Sequence, residues 1–129
     1  MSLFEHGDFH LHSGGRSTFK IDCNWLMDED WCAVASLLRS LLPKYGGVVG
    51  IPTGGLQLAK EMHRGVTISE LAEGKTLPTL LVDDVLTTGA SMEEWRAKIK
   101  GDVIGAVVFA RGSCPDWVLA LFQMKENKP

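Results

Sequence analysis

The feature that most restricts the fold of this chain is an apolar run at residues 79–82, which ends in two adjacent acids, Asp83 and Asp84. A strand without polar alternation is typical of a parallel sheet that is covered on both faces. Similar runs at 48–51, 103–109 and 117–122, with a weaker one at 66–68, alternate with helical patterns at 56–63 and 91–100. Strands that alternate with helices predict an α/β fold with a parallel, doubly wound sheet.

The N-terminal part of the chain has a different pattern. Apolar and polar residues alternate at 8–13 and 17–22 on either side of Gly14 and Gly15, which predicts a β-hairpin. Apolar residues at three- and four-residue spacing then predict a helix from an N-cap at Asp28 to about Leu42, ended by Pro43. We expect a single domain over 1–129, divided into an N-terminal part (1–45), an α/β core (46–124) and a tail (125–129).

Composition narrows the classes of function. The net charge of −3 argues against a broad surface for nucleic acid or membrane. Cys23, Cys32 and Cys114 are odd in number and form no CxxC pair, so we expect reduced thiols and a cytoplasmic protein. No export signal is predicted, and no apolar run approaches the ~20 residues that span a bilayer. The scattered tryptophans, Trp117 among them, are expected in the core or at a subunit contact.

The segment that follows the apolar run carries the chemistry. Open α/β sheets bind ligands at the carboxyl ends of their strands, which is where the acid pair, Asp83 and Asp84, is expected. The next loop, before a helix with a candidate capping box at Ser91 and Glu94, could bind a phosphate through backbone N–H groups. Carboxylates suit hydroxyl groups or a hard divalent cation. A phosphorylated sugar with magnesium meets these requirements; the alternative is an ordinary acidic turn and capped helix.

This segment resembles the phosphoribosyl pyrophosphate-binding motif of type I phosphoribosyltransferases. The resemblance implies that the acid pair holds the ribose and that Mg²⁺ binds through the substrate, with the same two acids as candidate ligands. The implied contacts to the ribose and its 5′-phosphate continue through Val85, Leu86, Thr87, Thr88, Gly89, Ala90 and Ser91. The stretch 50–59 is similar to the family's pyrophosphate loop, which implies that Thr53, Gly54 and Gly55 bind pyrophosphate. Taken alone, the two glycines are an ordinary turn.

The N-terminal stretch 9–22 is similar to the start of orotate phosphoribosyltransferases, where it forms part of a hood over the base. The strand end at 107–112 is also similar to that branch. These matches imply that the base is contacted by His12, Ser13, Gly14, Phe19, Lys20 and Arg111. His12 stands where the family has lysine, and Ala110 where it has aspartate. An exposed arginine at a strand end is the alternative for Arg111.

The family also carries a long mobile loop with basic residues, and here it is shortened. Only residues 61–79 are available, and they contain no Arg-Lys-x-x-Lys cluster. Three functions therefore remain open. They are transfer of ribose 5-phosphate to a pyrimidine-type, orotate-like base, non-catalytic sensing of phosphoribosyl pyrophosphate or a nucleotide, and transfer to a purine. The resemblance implies a homodimer. A metal site at His6, His10 and His12 is a further alternative, although ligand- or solvent-facing histidines are the default.

Overall fold

A computed structural model describes residues 3–10, 16–64 and 77–124. The hairpin strands are β1 (Phe4–His10) and β2 (Arg16–Ile21), and a short 3₁₀ turn (Cys23–Trp25) follows them. The remaining elements are α1 (Asp28–Leu41), β3 (Val48–Gly50), α2 (Leu56–His63), β4 (Thr79–Leu86), α3 (Ala90–Lys98), β5 (Val103–Arg111) and β6 (Val118–Met124).

The predicted parallel sheet is confirmed. Four strands lie in the order β3-β4-β5-β6, and each neighbouring pair is parallel. Gly50 is in register with Val82, which is in turn in register with Ala106. Since all four strands run the same way, their carboxyl ends meet at one edge, and the loops after β3 and β4 are neighbours there.

Helices cover both faces of the sheet, as a doubly wound arrangement requires. On one face, Leu38 of α1 and Leu58 of α2 pack with Leu80 and Val82. On the other face, Met92 of α3 belongs to a second apolar cluster, together with Leu81, Val107 and Val118. Leu80, Leu81 and Val82 are all 0% exposed, which explains why this strand shows no polar alternation.

The predicted hairpin is also confirmed, with its first strand displaced toward the N-terminus. β1 and β2 pair antiparallel, with Phe4 opposite Ile21 and His10 opposite Arg16. β1 thus begins at Phe4 rather than near Asp8. The predicted end of that strand and its turn, at 11–15, lie outside the described residues, as do the weak strand at 66–68 and the tail at 125–129.

Two predicted helix starts are wrong. The N-cap of α1 is Met27, and Asp28 is already helical; the Met27 N–H donates to the Asp30 carboxylate at 2.8 Å, so Asp30 supplies the stabilising contact. Gly89, at a φ of 86°, is the N-cap of α3, which makes Ser91 the second helical residue instead of a cap paired with Glu94. Both errors arise because the backbone angles, and not the polar residue alone, decide which position caps a helix.

Candidate functional site

The loop after β3 lies against the acid pair at the end of β4. A Cβ atom at Gly54 would lie 2.6 Å from Oδ1 of Asp84 and 2.5 Å from its Cγ. Contacts this short are closer than any van der Waals separation, so a side chain at position 54 would displace the Asp84 carboxylate or the turn. The two segments predicted to bind pyrophosphate and ribose are therefore in direct contact.

The turn itself is fixed by backbone contacts. The Ile51 N–H donates to the Val82 carbonyl at 3.0 Å, and the Gly55 N–H donates to the Ile51 carbonyl at 2.8 Å. A Cβ at Gly55 would lie 2.5 Å from the Val82 oxygen, so this glycine also lets two backbone segments approach closely. The peptide bond between Pro52 and Thr53 is cis, and Thr53 is exposed at the tip of the turn.

Asp83 and Asp84 are half-buried and bonded to the backbone beside them. Oδ1 of Asp83 accepts the Asp84 N–H at 2.8 Å, and Oδ1 of Asp84 accepts the Val85 N–H at 2.7 Å. Burial, followed by the side-chain hydrogen bond to Asp84 and the charge of that neighbour, raises the pKa of the Asp83 carboxyl to about 8, against a lowering by its hydrogen bond to the Asp84 backbone. The raised pKa favours the protonated form of Asp83, which reduces the charge repulsion within the pair.

The predicted phosphate loop, residues 87–91, lines a cavity of about 140 Å³ at the start of α3. Its walls are Asp83, Val85, Leu86, Thr87, Thr88, Gly89, Ala90, Ser91 and Met92. The Thr88 hydroxyl accepts the Ala90 N–H at 3.3 Å, and this bond shapes the turn that leads into the helix. The first N–H groups of a helix point away from it without intrahelical partners, and the helix dipole adds partial positive charge. Such a cavity suits an anion.

A larger cavity, of about 580 Å³, lies at the opposite edge of the sheet. It is lined by Glu93, Arg96, Ala97, Ile99, Gly101, Asp102 and Val103. None of these residues belongs to a predicted binding segment, and the cavity lies beside the amino end of β5. The smaller cavity at the carboxyl edge is the better candidate, because open α/β sheets bind ligands at that edge.

Arg111 is the last residue of β5 and is only 5% exposed. The alternative of an exposed strand-end arginine is therefore wrong. The preceding residue, Ala110, is in register with Leu86, so Arg111 lies at the level where β4 passes into the phosphate loop. Of the other predicted base contacts, Phe19 and Lys20 lie in β2, and His12, Ser13 and Gly14 lie outside the described residues.

Sequence reasoning missed one residue near this site. Cys23 is 8% exposed, and its surroundings raise the pKa of its thiol to about 12, first through burial and then through the charges of Asp84, Asp22 and Asp83. The 3₁₀ turn after the hairpin thus brings the N-terminal part of the chain toward the acid pair. The raised pKa disfavours the thiolate form, which argues against a role as a nucleophile. The sequence offered a weak signal at most, since Cys23 directly follows the hairpin.

The acid pair alone supplies few of the ligands that a metal ion needs. Within residues 3–10, 16–64 and 77–124, no three histidine, cysteine or acidic side chains come together as a metal site. Asp83 and Asp84 supply carboxylate oxygens as a pair only, which fits a magnesium ion that takes most of its ligands from a phosphorylated substrate and water. Among the same residues, no helix has the length and apolar character to cross a membrane.

No protein-family model and no curated protein matches the sequence. Solved structures do match. The orotate phosphoribosyltransferase of Aeropyrum pernix superimposes with a TM-score of 0.71 at 22% identity, over 95% of this chain and 88% of that one. The UMP synthase of Leishmania donovani superimposes with a TM-score of 0.75 at 20% identity, over 95% of this chain and 34% of that one. The orotate phosphoribosyltransferase of Mycobacterium tuberculosis superimposes with a TM-score of 0.65 at 19% identity, over 95% of this chain and 90% of that one. Likeness at these identities establishes a common fold.

Proposed function

We propose that this chain, which has the type I phosphoribosyltransferase fold of the orotate branch, transfers ribose 5-phosphate from phosphoribosyl pyrophosphate to a pyrimidine-type, orotate-like base and releases pyrophosphate. The observation that carries the proposal is the contact between Gly54 and Asp84. It joins a tight glycine turn, an acid pair and an anion-suited cavity at one sheet edge. A sugar with a phosphate at one end and pyrophosphate at the other needs these three features together.

Each part of the ligand has a matching part of the site. The 5′-phosphate would occupy the cavity of about 140 Å³, where the phosphate loop and the start of α3 offer N–H groups and hydroxyls. The ribose hydroxyls would donate to the carboxyl oxygens of Asp83 and Asp84. These hydrogen bonds favour the charged form of the acid, so ligand binding would favour release of the proton from Asp83. The backbone of residues 53–55 would bind the pyrophosphate, because two glycines without side chains permit a close approach.

The main catalytic task would be stabilisation of charge on the departing pyrophosphate, since the sugar passes through an oxocarbenium-like state and needs no side-chain nucleophile. Magnesium, bound through the substrate, would supply much of this charge stabilisation. The acid pair would fix the ribose in the orientation for reaction. Arg111, buried at the same edge, would bind the carboxylate or carbonyl oxygens of the base, because guanidinium suits planar acceptors.

A second candidate is binding of phosphoribosyl pyrophosphate without catalysis. Only residues 64–78 lie between α2 and β4, and they lack the basic cluster that the resemblance leads us to expect. Without those cations, the leaving group would receive less stabilisation, while the ribose and phosphate contacts would be unaffected. Transfer to a purine is the remaining alternative.

Magnesium-dependent release of pyrophosphate, measured with orotate and with a purine base in parallel, tests the proposal. We expect release with orotate, and its loss in a variant that carries both Asp83→Asn and Asp84→Asn. A matched control is Asp102→Asn, which removes an exposed acid at the opposite edge. Release of pyrophosphate with the purine alone would show that the base is a purine and not orotate. Tight binding without release for either base would leave the non-catalytic function.

A further inference from the structure

Three side chains tie the start of α3 to the connection between β5 and β6. The indole Nε1–H of Trp117 donates to Oε1 of Glu93 at 2.8 Å. The guanidinium of Arg96 lies 4.4 Å from the centre of the Trp117 ring, in a cation–π contact, and 3.8 Å from Oε2 of Glu93. Each member of this cluster therefore contacts the other two.

The cluster is connected to the phosphate loop through the first turn of α3. Glu93 is in the first turn of α3, and its N–H donates to the carbonyl of Gly89 at 3.0 Å. The residue before it, Met92, is 1% exposed and lines the cavity of about 140 Å³. The Met92 methyl and the Trp117 ring both border Gly105, where a Cβ would lie 2.8 Å from one and 2.9 Å from the other. Trp117 thus supports the helix start by packing as well as by its hydrogen bond.

The cluster also controls where a negative charge lies. A carboxylate in the first turn of α3 would repel a bound phosphate if it turned toward the loop. Glu93 lines the larger cavity and is not among the residues around the smaller one. The Trp117 N–H and the Arg96 guanidinium hold its carboxylate on that far side.

We propose that Trp117 is a positioning residue that acts through Glu93 to fix the phosphate loop in its anion-binding shape. This inference rests on the proposed function, in which that loop binds the 5′-phosphate. Trp117 lies outside every predicted binding segment. The proposal gives it a role in binding of the 5′-phosphate and no role in binding of pyrophosphate by residues 53–55.

Trp117→Phe is the direct test, because it keeps an aromatic ring and removes the N–H donor. Calorimetric titrations would use ribose 5-phosphate and, separately, pyrophosphate with magnesium. We expect the Kd for ribose 5-phosphate to rise roughly threefold to tenfold, which is the range for the loss of one exposed hydrogen bond of ordinary strength, with the Kd for pyrophosphate within twofold. Equal changes for both ligands, or none for either, would overturn the inference.

Glu93 and its neighbour Glu94 provide a matched pair of variants, and neither variant changes a buried residue. Glu93→Ala and Glu94→Ala each remove one exposed acid from α3, but Glu94 contacts Lys98, at 3.8 Å, and not Trp117. We expect weaker ribose 5-phosphate binding in Glu93→Ala only, because loss of the bond to Trp117 outweighs removal of a carboxylate that already lies away from the smaller cavity. Near-normal binding is expected in Glu93→Gln, which keeps an acceptor. Equal binding in both alanine variants would contradict the role. If the unchanged protein fails to bind ribose 5-phosphate, the proposed function itself fails, whereas normal binding by all Glu93 and Trp117 variants refutes this inference alone.

Discussion

Gly54 lies directly against the carboxylate of Asp84, so closely that a Cβ atom at position 54 would be 2.6 Å from Oδ1. The loop after β3 and the acid end of β4 are thereby in contact at one edge of the sheet. The absence of a side chain at position 54 is what allows Asp84 to keep its present position, where its Oδ1 accepts the Val85 N–H.

Gly54→Ala is expected to lower the affinity for phosphoribosyl pyrophosphate at least tenfold. The added methyl must displace either the Asp84 carboxylate or the turn, and a displaced carboxylate loses hydrogen bonds worth roughly 1.5–3 kcal/mol each. Calorimetric titration with magnesium measures the change. Gly47→Ala is the control, since the nearest atom to its added methyl is 4.0 Å away. Equal affinities in the two variants would show that the contact does not matter for binding.

The double variant Asp83→Asn, Asp84→Asn is expected to bind the same ligand at least tenfold more weakly while it keeps its fold. Amides are weaker acceptors for the ribose hydroxyls, and the lost charge assistance at each position is worth about 1 kcal/mol or more. Titration combined with circular dichroism separates binding from folding. Unchanged affinity in a folded double variant would remove the ribose role from these acids.

Stability should depend on pH through Asp83. The pKa of this carboxyl is about 8 in the folded chain against an ordinary value of 3.8, so between these values the folded state holds a proton that the unfolded state has released. The free energy of unfolding therefore falls as the pH rises from about 4 to about 8.

Asp83→Asn cannot ionise and should lose less stability over that pH range. At pH 8 we expect the thermal midpoint of the variant to exceed that of the unchanged protein by several degrees. Each kcal/mol of regained unfolding free energy raises the midpoint by about 4 °C. At pH 5 the difference should be smaller. Thermal denaturation at the two pH values measures this. A difference that is the same at both, or that grows toward low pH, would contradict a raised pKa.

Arg111→Lys tests the proposed contact with the base. Lysine keeps the positive charge but cannot form two parallel hydrogen bonds with a carboxylate. We expect the KM for orotate to rise by roughly tenfold, with little change in the affinity for phosphoribosyl pyrophosphate. Uracil, which lacks the carboxylate, serves as the comparison, and its use should be affected less. An equal loss for both bases would place Arg111 in a structural role.

The course of the chain through the core could be predicted because apolar periodicity reports burial directly. The strand at 79–82 and the helices that begin near Asp28 and Leu56 follow from it. The caps could not be predicted, because Gly89 takes the N-cap of α3 by adopting a left-handed conformation that the residue type permits but does not require.

The candidate site could be predicted as two separate segments, and the topology explains why they meet at one edge. Their atomic contact could not be foreseen, since it depends on how closely the turn approaches β4. Two other relationships could not be foreseen either. Cys23 lies near the acid pair, and Trp117 donates a hydrogen bond to Glu93. Both join residues far apart in the chain, and no local pattern encodes such pairs.

We propose, above all, that one sheet edge binds the sugar phosphate through the acid pair and the phosphate loop. A crystal structure of the protein soaked with phosphoribosyl pyrophosphate and magnesium tests it most directly. We expect the 5′-phosphate in the cavity formed by residues 87–91, the ribose hydroxyls on Asp83 and Asp84, and the pyrophosphate at Gly54. Density for the ligand in the larger cavity beside Arg96 and Asp102, with the acid pair unliganded, would contradict the account.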